Sequence, residues 1–176
     1  MTVQSERPVT LAQLNACTRD AFTAALGAIF EHSPWVPERT CAARPFASVD
    51  ALHAALCETL AAANPDEQLA LIRAHPELAG KAAIRGELTE ASTREQSGAG
   101  LDRCTPEEYA RLHALNAEYG RRFGFPFILA VSGYGRAGIL AELERRLANA
   151  RDAEFGEALR QIGRIARFRL NDLLGG

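Results

Sequence analysis

A chain of 176 residues with 47% apolar content and a formal net charge of -2 suits one ordinary folded domain with a real core. Its basic residues are almost all arginine, with Lys81 the only lysine, and they alternate with acids, which argues against nucleic acid or a polybasic membrane patch as partner. No run of 18 apolar residues is present to span a bilayer, MTVQSERPVT shows no leader pattern, and Cys17, Cys41, Cys57 and Cys104 lack CxxC or zinc-type spacing, so the expectation is a cytoplasmic protein with reduced thiols and no metal site.

Alanine and leucine recur at helical spacing along the chain, predicting an all-α fold: one compact bundle domain over 1–176, with about seven or eight helices and one extended segment near 125–131. Thr10 with Gln13 forms a capping box for a helix running toward Phe30. SPWVPERTCAARPF then reads as an irregular connection that Trp35 anchors into the core. Ser48 precedes VDALHAALCETLAAA, whose Leu52, Ala55, Leu56 and Leu60 share a face. Asn64, Pro65 and Glu67 open a short helix through LALIRA, which Pro76 closes at His75. Thr89 caps EASTREQSGAG. Thr105, Pro106 and Glu108 start EYARLHALNAEYGRRF, which Gly124 ends. Asp152 caps a last helix carrying Phe155, Leu159, Ile162, Ile165, Ala166 and Leu170 on one side.

FPFILAVSGYGRAGIL, near the C-terminal end, has the outward form of a dinucleotide loop. Such a loop works only inside a βαβ unit, where a second strand supplies the acid that holds the ribose. RDAEFGEALRQIGRIARFRL, which follows, has helical periodicity instead. GYGRAG therefore reads as a turn, and an oxidoreductase is disfavoured.

Three features remain that can carry chemistry. His53 and His113 sit among apolar neighbours and read as packing groups, and His32 as a helix-end cap. His75 stands at a helix C-terminus, where the partial negative charge favours a protonated ring suited to donating a proton. On position alone a plain helix cap explains it better, because caps are common and active sites few. In STREQ, Ser92 lies one helical turn from Glu95 and Gln96, so a hydroxyl, a carboxylate and an amide converge, although a solvated face has the same pattern. FGFPFILAV is an extended apolar strip without a sheet partner, whose backbone polar groups need partners, a small polar ligand being one answer.

Taken together, EHSPWV, RPF, LIRAHPELAG, STREQSGAGL, LNAEYGRRFGFPFILAV and IARFRLNDL resemble one family, in order and over nearly the whole chain. It is the 2-oxo-4-hydroxy-4-carboxy-5-ureidoimidazoline (OHCU) decarboxylases of urate degradation. HPELAG, STREQ and FGFPFI together make the resemblance specific; SGYGRAGIL departs from the usual pattern. The resemblance implies an all-helical homodimer and a cofactor-free decarboxylation that yields (S)-allantoin and carbon dioxide. It implies His75 as catalytic acid, with Glu95 orienting either the substrate hydroxyl or the imidazole, and substrate contacts from Pro76, Ser92, Thr93, Arg94, Glu95 and Gln96. Phe127, Ile128, Leu129, Ala130 and Val131 supply a backbone contact strip, and Arg169 meets the substrate from the last helix. The rival expectation is a non-catalytic helical partner module in which His75 is only a cap.

Overall fold

The structure, a computed structural model, describes residues 9–175. The N-terminal stretch inspected for a leader lies almost wholly outside them. Among the described residues the chain forms ten α-helices and two single-turn 3-10 helices, with no strand, so the fold is all-α. The described residues fall into two compact units, one made of residues up to 63 together with those from 166 onward, the other of residues 64–165.

The first unit contains α1 (Leu11–Ala16), α2 (Arg19–Ala25), α3 (Trp35–Thr40), α4 (Val49–Ala62) and the last turns of α10 (Arg151–Leu174). The predicted helix from Thr10 toward Phe30 is broken in two, because Cys17 is extended and the Thr18 hydroxyl accepts from the N–H of Ala21 to start α2 afresh. The stretch expected to be irregular contains α3, and the expected anchor is different. Trp35 is only half-buried beneath the Arg39 guanidinium, 4.6 Å from its ring centre, while Val36 is fully buried. Phe22, Leu26, Phe30, Val36, Leu52 and Leu56 form the core. Asn15 clamps Phe46 through both backbone groups, at 2.9 and 2.8 Å.

The second unit contains α5 (Pro65–Ala74), α6 (Lys81–Arg85), α7 (Glu90–Gly98), α8 (Pro106–Phe123), α9 (Arg136–Leu147) and the first part of α10. Capping boxes at Asn64 and Thr105 and the Thr89 cap form as their sequences require. Gly124 ends α8 at φ 79°, a left-handed conformation that suits a residue without Cβ. Residues 126–131 are neither helix nor strand, and a turn at Gly133 leads into α9, so GYGRAG has no flanking strand. Asp152, expected to cap α10, lies inside its first turn instead. Tyr119, Phe123, Phe125 and Phe127 make an aromatic cluster with ring centres 4.5 to 6.1 Å apart.

Candidate active site

His75 is the C-cap of α5, with ψ 136° set by the proline that follows. Its Nδ1 lies 3.0 Å from the carbonyl of Leu71, and the residue is buried. A carbonyl oxygen can only accept, so Nδ1 carries a proton in this bond. Position and tautomer thus come from one device, the last turn of a helix presenting its carbonyls.

Hydrogen bonds knit the three motifs together. Two residues before His75, the Arg73 Nε donates to the carbonyl of Gly124 at the head of the strip, at 3.0 Å. Three residues after His75, the Leu78 carbonyl accepts from Asn116 Nδ2 of α8 at 2.9 Å. The Ala79 N–H next to it donates to Gln96 Oε1 of α7 at 2.8 Å. Ala79 sits at φ 49°, a strained conformation for a residue with a Cβ, and these two amides bracket it. Gln96 thus braces the loop through its side-chain oxygen.

The helix divides STREQ into two faces. Ser92 and Gln96 are buried and Glu95 is half-buried, whereas Thr93 and Arg94 are exposed. Thr93 lines a mostly apolar cavity of about 550 Å³ with Ala83, Ile84, Leu88 and Tyr109, and Ala79 and Gln96 belong to the same lining. Pro76 is half-buried, and Phe127, Ile128, Leu129, Ala130 and Val131 are all buried. Arg169 belongs to the first unit, where its Nη1 donates to Glu31 at 2.9 Å and to the Ala28 carbonyl at 3.1 Å.

The strip's backbone is partly satisfied by side chains that sequence reasoning passed over. Arg146 Nη1 donates to the carbonyl of Ile128 at 2.7 Å, and the N–H of Ala130 donates to Gln161 Oε1 at 3.0 Å. Arg146 is fully buried and paired with the equally buried Glu154 at 2.8 Å, which also accepts from the Tyr119 hydroxyl and from Asn149. Burial, then the bond to Glu154, drives the Tyr119 hydroxyl far above the usual phenol range. Arg145 and Arg146 look alike in sequence, both charged and near a helix end. Only Arg146 falls on the inward stripe with Ile139 and Leu143, which is the one signal that separates them.

Among the described residues no group of three His, Cys, Asp or Glu side chains is placed to hold a metal ion. The structure ties the loop after His75 to Gln96 of α7 and to Asn116 of α8, and Arg73 to the head of the strip. The chain belongs to the OHCU decarboxylase family, whose profile it matches over residues 15–171. It is 43% identical to the 2-oxo-4-hydroxy-4-carboxy-5-ureidoimidazoline decarboxylase of Haloferax volcanii, over 92% of this chain and 94% of that protein. It is 44% identical to a uric acid degradation bifunctional protein of Bacillus subtilis, over 94% of this chain but 33% of that protein. Among solved structures, (S)-allantoin synthase superimposes with a TM-score of 0.75 at 29% identity, covering 95% of this chain and 54% of that one.

Proposed function

We infer that the chain decarboxylates 2-oxo-4-hydroxy-4-carboxy-5-ureidoimidazoline to (S)-allantoin and carbon dioxide. The observation that carries this is the family match over nearly the whole chain, together with three family motifs hydrogen-bonded to one another in a single unit.

The substrate's own chemistry sets the enzyme's tasks. The carbon that loses its carboxylate adjoins an imine carbon, so when the C–C bond breaks the electron pair moves into the C=N bond and an enol remains. The ring supplies its own electron sink, and no cofactor has to serve as one. The protein's part is to orient the substrate, to stabilise charge and to deliver one proton to one face of the enol. His75 acts as the imidazolium, donating its proton from Nε2 while Nδ1–H is held by the Leu71 carbonyl. Glu95 orients the substrate hydroxyl or the imidazole. Pro76, Ser92 and the 127–131 backbone contact the heterocycle, and Gln96 shapes the wall through the 76–80 loop. The chain, 1–176, acts as one domain of this family, as a homodimer in the cytoplasm. No helix among the described residues is long and apolar enough to cross a membrane.

The test is circular dichroism timed against the spontaneous decay of freshly generated substrate, which yields racemic allantoin. Rapid appearance of one enantiomer in the presence of the protein is expected. A racemic product at the spontaneous rate refutes the assignment.

A further inference from the structure

The strip between α8 and α9 works like a single strand whose missing neighbour has been replaced by side chains. In an extended chain the N–H and C=O of one residue point to the same flank, and those of the next residue to the opposite flank. The two groups that the protein holds, the Ile128 carbonyl and the Ala130 N–H, belong to residues of the same parity. They form the pair that an adjacent parallel strand would take. On the other flank, among the described residues, no protein group hydrogen-bonds the N–H or C=O of Leu129 or the N–H of Val131, while the Val131 carbonyl accepts from Tyr134. The groups of Leu129 and Val131 that no protein group takes include donors and an acceptor, the set a cyclic amide or ureide requires.

Of the two side chains behind the strip, Gln161 has its orientation fixed. Its Nε2 donates to Glu157 Oε1 at 2.7 Å, and Glu157 in turn accepts from Arg160 at 2.6 Å. A carboxylate only accepts, so the amide nitrogen must face Glu157 and the amide oxygen must face the strip. Burial pushes the Glu157 carboxyl up, but the bonds from Gln161 and Arg160 outweigh it and hold the group below the usual carboxylate range, so it stays an acceptor at neutral pH. Gln161 is 4% exposed, which removes water as a competing partner for either end.

We propose that Gln161 is a positioning residue for substrate binding: oriented by Glu157, it holds the Ala130 N–H and thereby sets the angle at which Leu129 and Val131 present their backbone groups to the ring. This rests on the reading that the strip contacts substrate. Gln161 touches no reacting atom, so its loss weakens binding more than it slows proton transfer.

Two variants separate this role from simple support of the fold. Gln161→Met keeps the length and removes the acceptor, and KM is expected to rise about tenfold, the worth of one misplaced buried hydrogen bond, with kcat within about threefold of wild type. Gln161→Glu keeps an oxygen opposite Ala130 but sets it against Glu157, so it melts lower than the methionine variant while its KM stays within about threefold of wild type. The proposal predicts that the variant with the higher KM is also the one with the higher melting temperature, so weaker binding does not go with lower stability. A wild-type KM for Gln161→Met, a KM that simply follows stability, or a loss confined to kcat overturns it. Should one variant fail to fold, the KM of the other decides alone by the same limits. Wild-type protein that neither accelerates the reaction nor selects an enantiomer overturns the functional reading instead, a result distinct from all of these.

Discussion

Replacing Arg146 by methionine puts the buried network behind the strip to a quantitative test. The guanidinium is fully buried, pairs with Glu154, donates to the Ile128 carbonyl and lies 4.5 Å over the Phe127 ring. Removing one partner of such a pair leaves an uncompensated buried charge, a loss of about 3–5 kcal/mol, and the orphaned carbonyl adds up to ~1–3 kcal/mol. Methionine fills most of the volume and contacts the ring through sulfur, so a net loss near 4 kcal/mol is expected, or about 8–16 °C in melting temperature for a protein of this size. Removing the charge on both sides reverses much of this. In Arg146→Met/Glu154→Gln the glutamine oxygen accepts from Asn149 while its amide nitrogen donates to the Tyr119 oxygen, and at least half of the lost stability returns. Urea unfolding of wild type, both single variants and the double variant measures the coupling directly. A single-variant loss below about 1 kcal/mol, or a double-variant loss equal to the sum of the two singles, refutes the reasoning.

Further outcomes follow from the site and its surroundings. His75→Ala lowers kcat/KM by about 10²–10⁴-fold, the usual worth of a general acid, while the melting temperature moves little; activity within tenfold of wild type counts against His75 as the proton donor. Tyr119 titrates far higher in the fold than in the unfolded chain, so its contribution is complete below pH ~10 and is lost as the pH rises beyond that, where the unfolded chain gains by ionising. The stability difference between wild type and Tyr119→Phe should therefore shrink between pH 9 and 11 in urea titrations, and a constant difference contradicts this. Ala79→Gly relieves a left-handed conformation at a cost of ~0.4–1 kcal/mol in chain entropy, so stability should stay level or rise by up to about 1 kcal/mol. A loss above 1 kcal/mol would show that the alanine methyl matters more than its backbone angle.

Much of the molecule was legible because its signals are local. Thr10, Ser48, Asn64, Thr89 and Thr105 each start the helix their sequence announces, since a cap is satisfied by groups three residues away. The split of the first helix at Cys17 and the helix at Trp35 were missed, because continuous apolar spacing hides one interruption and prolines suggest another. In the candidate site, the motif residues were named from resemblance. Their division into an inward face of Ser92, Glu95 and Gln96 and an exposed Thr93 and Arg94 emerged only from the helix in its setting.

By itself the sequence determined the helical class, the cap positions, the end of α5 at His75 and the lack of a second strand behind GYGRAG, all consequences of short-range chemistry. Tertiary structure alone decided that Asn116 and Gln96 brace the loop after His75, and that Arg146 and Gln161 take the place of a neighbouring strand. Those bonds join residues from 17 to 38 positions apart. A polar side chain that will be buried against a backbone amide looks, in sequence, like any other on a helix surface.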